Sequence, residues 1–283
     1  MTKKIWKASL QKKRNSNLFA FEKYLSKKFS IKFNGNFKHL LNWSIKNSPE
    51  FWSTFWDFTN IKGKKGKKKI KRSKIFHKNL FLPGSKLNFG ENLLSKNTNG
   101  KAITFISENG FREERSWKQL NLNIASIVYF LKDIKIFKGD RIAAYMPNCI
   151  ETVEAFIATS SIGGIWSSCS PDFGINGVIE RFAQIKPKVL FITDQYFYNG
   201  KQIKIIKRLP KILKLIPSIK NIVIVNYPGK KFINYNQKFK LRKIFKWTKC
   251  ISKKINGVKF EKFDFEKELA ILYSSGTTGK PKC

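Results

Sequence analysis

Histidine is nearly absent from this chain, and both examples, His39 and His77, stand isolated among lysines and apolar residues. Histidine-based catalysis is therefore not expected. Cysteine is sparse as well. Cys149, Cys169, Cys250 and Cys283 are scattered with no Cys-x-x-Cys pair, which excludes a zinc ribbon or a disulfide framework and suits a reducing compartment. No apolar run approaches the roughly 20 residues that a membrane helix needs. The start, residues 1–19, is basic, but it lacks the apolar core of a secretory signal and carries little arginine. The expected location is the cytoplasm.

Acidic residues are also few: 18 Asp and Glu face 57 Lys and Arg, for a formal charge of +39. Such an excess ordinarily points to nucleic acid or an anionic membrane. Here Lys, Asn, Ile and Phe are abundant together, residues that share AT-rich codons, and the lysines are spread along most of the chain. A biased genome accounts for the charge, so neither nucleic acid nor membrane is the expected partner. A basic nucleic-acid-binding protein remains the alternative of another class. The densest run, Lys62-Gly63-Lys64-Lys65-Gly66-Lys67-Lys68-Lys69-Ile70-Lys71-Arg72, reads as part of a solvated basic linker over residues 62–74, because like charges this close repel.

What is present begins with 283 residues, 42% of them apolar, enough for one large domain or two small ones. Residues 1–95 read as an irregular, aromatic-rich and mostly helical region. Within it Phe51, Trp52, Phe55, Trp56 and Phe58 are spaced to form one apolar helix face, read as core. From residue 101 an α/β pattern begins. Strands at 102–107 and 111–115 flank Asn109-Gly110, a tight-turn signal. Ser116 and Gln119 then read as a reciprocal capping box for a helix with apolar residues at Trp117, Leu120, Ile124, Ile127, Val128 and Leu131. Further strands are expected at 141–146, 165–169, 189–193, 221–225 and 270–273, and helices at 151–162, 177–185 and 203–213. That alternation predicts a mainly parallel sheet with helical cover, an α/β domain over residues 96–283.

Ligands of such sheets sit beyond the carboxyl ends of the strands. There the last expected strand delivers Tyr273-Ser274-Ser275-Gly276-Thr277-Thr278-Gly279-Lys280-Pro281-Lys282. Glycines allow sharp turns and close backbone approach, successive amides converge on an anion, hydroxyls add neutral donors, and two lysines add charge. The string reads as a nucleotide phosphate loop. It is not the common NTPase loop, which needs four residues between its first Gly and Gly-Lys-Ser/Thr. Here two intervene, and Pro281 stands where the magnesium-binding hydroxyl belongs.

The string resembles the phosphate-binding motif of the acyl-adenylate-forming (AMP-binding) enzymes. A second set of segments is similar to the acetoacetyl-CoA synthetase family in particular. It comprises Gly163-Gly164-Ile165-Trp166-Ser167-Ser168-Cys169-Ser170-Pro171-Asp172-Phe173-Gly174, Glu180-Arg181-Phe182, Tyr196-Phe197-Tyr198-Asn199-Gly200-Lys201 and, earlier, Pro83-Gly84-Ser85-Lys86-Leu87-Asn88-Phe89. The resemblance implies ATP-dependent ligation of acetoacetate to coenzyme A through an acyl-adenylate, with acetoacetate, ATP and coenzyme A as the small-molecule partners. A ligase for another short acid is the alternative, since most of the family's acyl pocket lies downstream.

On that resemblance Ser274, Ser275, Gly276, Thr277, Thr278, Gly279, Lys280 and Lys282 hold the ATP phosphates; which lysine makes the contact stays open. Tyr198, Gly200 and Lys201 contact the nucleotide end of coenzyme A, against the plainer reading of Lys201 as a surface lysine beginning a helix. Ser167, Ser168 and Asp172 either face coenzyme A or substrate or pack the sheet, and are given no catalytic role. The family's adenine and ribose contacts, magnesium ligand, hinge and adenylation lysine all lie beyond the phosphate loop. Magnesium is thus expected with ATP but held downstream, no catalytic residue or metal ligand is expected among these 283 residues, and the chain is expected to be an amino-terminal fragment, inactive alone.

Overall fold

Three helices supply most of the regular structure of the amino-terminal unit, Met1–Lys86: α1 (Asn17–Phe29), α2 (Phe37–Lys46) and α3 (Ser48–Phe58). The computed structural model describes residues 5–94, 96–274 and 281–283. Ser16 and Asn36 start α1 and α2 by accepting from the amides of Phe19 and His39, both at 3.2 Å. Phe21, Leu25, Phe33 and Leu40 form the small core, and the rings of Phe51, Phe55 and Phe58 lie 5.5, 5.4 and 4.9 Å from that of Phe21. The aromatic helix face is therefore core in part, although Trp52 and Phe55 stay 44% and 38% exposed. In the basic run Lys65 donates to Asp57 (2.6 Å) and to the Ser53 carbonyl (2.7 Å). Lys69 pairs with Glu50 at 3.3 Å, and Ile70–Lys71 pairs antiparallel with Leu80–Phe81.

The larger unit, Leu87–Cys283, is organised by five parallel strands: β3 (Arg141–Tyr145), β4 (Ile165–Cys169), β5 (Val189–Thr193), β8 (Asn221–Val225) and β9 (Lys243–Lys246). Their spatial order is β9-β8-β5-β3-β4, with every pairing parallel. In β5 and β8 all five residues are buried, as expected for strands covered on both faces. Alternate residues serve opposite layers. Ile142, Ala144, Phe191 and Val223 pack with α4 (Trp117–Asp133) and α5 (Ile150–Ser161). Ala143, Tyr145, Leu190, Ile192 and Ile222 pack with α6 (Ile175–Ile185) and α7 (Leu209–Leu215). The mainly parallel α/β sheet read from the sequence is what forms.

Counted in chain order along these five strands, the arrangement is 2-1-3-4-5. The crossovers leave β3 on both sides, so the carboxyl ends of β3 and β5 border the point where the winding reverses, the usual crevice for a ligand. A β-hairpin, β1 (Lys101–Ile106) with β2 (Arg112–Ser116), precedes the sheet. A second, β6 (Tyr196–Tyr198) with β7 (Lys201–Ile203), follows β5.

Several expectations are corrected. Ser116 caps α4 by accepting from the Gln119 amide (3.1 Å), but the Gln119 side chain turns forward to Asn123 (2.7 Å), so the reciprocal half of the box is not made. The stretch read as helix from residue 203 is the end of β7, then a 3-10 turn (Ile205–Arg208), and only then α7. Pro210 in the first turn of α7 sets that start. The expected strand at 270–273 is reduced to one parallel bridge, Ala270 with Trp166. Its outer edge has no strand partner among the described residues, and Leu272 is 78% exposed.

Candidate functional site

That bridge nonetheless fixes direction. The Trp166 amide donates to the Leu269 carbonyl (3.1 Å) and the Ile271 amide to the Trp166 carbonyl (2.8 Å), so the chain runs alongside β4 and leaves at the sheet's carboxyl edge. Side chains hold it there. The Ser167 hydroxyl donates to the Ile271 carbonyl (3.0 Å) and lies 3.2 Å from the Tyr273 hydroxyl, which donates to the Arg181 carbonyl on α6 (3.1 Å). Burial pushes the Tyr273 hydroxyl up to about 12, so it remains a neutral donor.

Ser275, Gly276, Thr277, Thr278, Gly279 and Lys280 lie outside the described residues. Their two flanks are described, and they are clasped together. Ser274 and Lys282 form an antiparallel bridge, with amide-to-carbonyl distances of 3.0 and 3.4 Å. Gln184 on α6 donates to the Pro281 carbonyl at 2.9 Å. A clasp of this kind brings the two ends of the intervening segment together, which lowers the entropic cost of holding them close.

The hairpin of the second candidate site projects from the same edge, because β5 ends just before it. Between the line of residue 270 and β5 lie β4 and β3, three strand spacings or roughly 14 Å in all. Tyr198 pairs with Lys201 across a two-residue turn whose Asn199 and Gly200 both have positive φ, 51° and 72°, the geometry that Asn-Gly favours. Lys201 thus begins a strand, not a helix, and is exposed. Tyr198 is 59% exposed and stacks on Tyr196 at 6.2 Å. The Gly200 amide donates to Glu108 at 2.7 Å, which ties the turn to the tip of the first hairpin.

Ser168 is exposed and Ser167 buried, with Ser167 engaged in the strand contact above. Asp172 accepts from the Ser170 hydroxyl at 2.7 Å; burial, then the nearby Asp172 carboxylate, pushes the Tyr196 hydroxyl up. The loop of residues 170–174 is held from below by Tyr145, fully buried at the end of β3. Its hydroxyl accepts from Arg208 and donates to the Phe173 carbonyl (2.6 Å).

Sequence reasoning missed this supporting layer, of which Tyr145, Arg208, Asp194 and Gln195 are the main members. Its one visible signal was Asp194-Gln195 directly after the apolar run of β5, two polar residues at the carboxyl end of a buried strand. A cavity of about 500 Å³ lies to the β8 side, lined by Glu113, Glu151, Asn226, Gly229, Lys246 and Trp247 among others. None of the residues chosen from the sequence lines it. Among the described residues no group of three or more His, Cys, Asp or Glu could hold a metal, and no helix is long and apolar enough to cross a membrane.

Comparison with known proteins completes the description. The model of the AMP-binding enzyme family matches residues 95–283. A protein named acetoacetyl-CoA synthetase from Xenopus tropicalis is 38% identical over 260 residues, covering 88% of this chain and 38% of that protein. Acetoacetyl-coenzyme A synthetase of Rhizobium meliloti (strain 1021) is 36% identical over 247 residues, covering 86% and 37%. Among solved structures, acetoacetyl-CoA synthetase from Streptomyces lividans superposes with a TM-score of 0.88 at 25% identity, over 99% of this chain and 42% of that one. The chain therefore spans about two-fifths of the length of the proteins it matches.

Proposed function

The chain belongs to the AMP-binding enzyme family, and from that membership we propose that it supplies the phosphate-gripping and coenzyme A-facing parts of an acid–thiol ligase. The reaction converts ATP, acetoacetate and coenzyme A to AMP, diphosphate and acetoacetyl-CoA. The observation that supports this most is the Ser274–Lys282 clasp, which brackets a glycine-, hydroxyl- and lysine-rich string beside a parallel strand.

In this reading the carboxylate oxygen of acetoacetate attacks the α-phosphorus, and the bond to the bridging oxygen breaks as diphosphate leaves. Charge builds on that leaving group. Amides around Gly276 and Gly279, the hydroxyls of Ser275, Thr277 and Thr278, and the ammonium of Lys280 or Lys282 meet it as it forms. Removing one preorganised donor of this kind costs about 3 kcal/mol of transition-state stabilisation. Coenzyme A sulfur then attacks the acyl carbon and AMP departs. Tyr198, Gly200 and Lys201 hold the nucleotide end of coenzyme A at the β6–β7 turn, with the lysine facing its phosphate. The described residues offer no carboxylate set for a metal, so the magnesium that accompanies ATP is given no ligand here.

A cytoplasmic location accords with four free cysteines, three of them buried. No nucleic-acid partner is proposed. The test is a chimera that joins this chain to the complementary part of the Streptomyces lividans protein, assayed for acid-dependent exchange of labelled diphosphate into ATP. Exchange with acetoacetate well above acetate or propionate is expected. Preference for another short acid transfers the activity to that acid, and no exchange with any acid removes the ligase reading.

A further inference from the structure

Asp194 is completely buried at the carboxyl end of β5, beside the point where the winding of the sheet reverses. Its two oxygens face different amides of one loop: Oδ1 accepts from Tyr227 (2.8 Å) and Oδ2 from Ile233 (2.9 Å). Its own amide donates to the Val225 carbonyl of β8 (2.9 Å), and its carbonyl accepts from Ile206 (3.0 Å), just after the β6–β7 hairpin. Gln195 continues the connection. Its Nε2 donates to the Lys231 carbonyl at 2.8 Å, and its Oε1 accepts from Gln202 on β7 at 2.5 Å.

The loop so fixed is the surface on which the hairpin lies. The Tyr227 ring packs 5.3 Å from that of Phe197 on β6, and Lys230 sits 4.7 Å over the same Phe197 ring. At its far side the loop turns at Gly229, φ +71°, where any Cβ would collide with the Phe111 ring. The loop is thus wedged between two β-hairpins, and one buried carboxylate satisfies the amides at both of its ends. A buried charge that bridges two backbone amides has a defined arrangement, because leaving either unmet costs its full desolvation.

We infer that Asp194 is a positioning residue: by clamping loop 227–233 it sets the height and angle of the β6–β7 turn, and so places Gly200 and Lys201 against the phosphates of the nucleotide end of coenzyme A. This rests on the reading of that turn as a coenzyme A contact. The carboxylate touches no substrate; it acts through the loop and through Gln195.

Two measurements on the full chain test it: hydrogen–deuterium exchange, and binding of adenosine 3′,5′-bisphosphate. Asp194→Asn replaces one accepting oxygen by a donor that faces an amide. Amides of residues 196–203 and 227–233 should then exchange about tenfold faster, and the probe should bind about tenfold more weakly, while amides of β3 and β4 keep their protection. Gln202→Leu, at an exposed position that does not threaten folding, should weaken the probe by a smaller factor in the same direction. Lys201→Ala should abolish most binding and leave exchange unchanged. If Lys201→Ala binds as well as the unaltered chain, or that chain does not bind the probe, the coenzyme A reading of the turn fails. If Lys201→Ala loses binding but Asp194→Asn and Gln202→Leu do not, the turn reading survives and the clamp is overturned. Exchange raised equally throughout the sheet in Asp194→Asn overturns it as well, since that is the mark of a purely structural residue.

Discussion

Asp57 in the amino-terminal unit and Glu154 in the larger one are both carboxylates facing cations, yet their surroundings move them in opposite directions. Slight burial pushes Asp57 up, but hydrogen bonds from Lys65 (2.6 Å) and Lys28 (3.3 Å) outweigh it and hold the carboxyl below its ordinary value. Burial pushes Glu154 up to about 7, against the pull of Arg115 and of the Asn123 amide (2.8 Å), and its Oε2 has no hydrogen-bond partner among the described residues. Glu151 and Asp194 are raised by burial too. The amino-terminal unit keeps this acid where water can replace the lysines. The larger unit buries acids where they tie helices and loops near the carboxyl edge of the sheet, which is also where both candidate sites emerge. Carboxylate burial is costly, so Glu151, Glu154 and Asp194 mark a part of the chain whose geometry is tightly specified.

The largest effect that separates the two regions is expected from Phe182→Ala, which empties a fully buried position on α6. It should lower stability by about 3–5 kcal/mol in urea titration. Phe55→Ala, at a ring that is 38% exposed in the amino-terminal unit, should cost clearly less. Equal losses would erase the distinction between a sheet packed on both faces and a loose aromatic cluster.

The next effect is pH-dependent. Because the folded pKa of Glu154 lies above its ordinary 4.5, the folded state binds this proton more tightly than the unfolded chain does. Its contribution is fully present below pH 4.5 and is lost as pH rises through about 7. At one unit per 1.36 kcal/mol the difference is on the order of 3 kcal/mol. Glu154→Gln, which imitates the protonated carboxyl, should flatten the fall in unfolding free energy over that window. A variant that keeps the original slope would assign the slope to other groups.

Gly229→Ala should cost about 1–3 kcal/mol, part from the positive φ and part from collision with Phe111. Phe111→Ala in the same chain should relieve the second part. The two substitutions therefore combine to less than their sum in denaturation, whereas strict additivity would mean that the loop does not press on that ring.

Burial on both faces also decided what was legible in the sequence. The strands at Val189–Thr193 and Asn221–Val225 match the expected bounds because short, nearly continuous apolar runs rich in β-branched residues between helices read as buried strands, and Ile165–Cys169 matches as well although two serines interrupt it. β9 was missed: Lys243 and Lys246 flank only Ile244 and Phe245, and an edge strand carries lysine at its ends without penalty. The β6–β7 hairpin had its signal in Asn199-Gly200, but the aromatic Tyr196-Phe197-Tyr198 was read for resemblance and not for a turn. Both candidate sites were chosen from the residues that face outward to ligand. Asp194, Gln195, Tyr145 and Arg208 escaped because their roles come chiefly from groups 28 or more residues away, and no local pattern encodes those.

The smallest expected effect sharpens the comparison from the other side. Asp57→Asn removes the charge shared by Lys28 and Lys65, side chains that are 40% and 28% exposed. Exposed pairs contribute about 0–1 kcal/mol, and salt screens them. The substitution should lower stability slightly at low ionic strength and not at all at high. Its pH sign is opposite to that of Glu154: a lowered carboxyl contributes above its ordinary 3.8 and loses that contribution as pH falls through the folded value. A stability profile of Asp57→Asn minus the unaltered chain should therefore be flat at neutral pH and converge only in acid. If it instead sloped between pH 5 and 7, the Asp57 site would behave as a buried one, and the contrast between a replaceable surface acid and acids fixed beneath a site would fail.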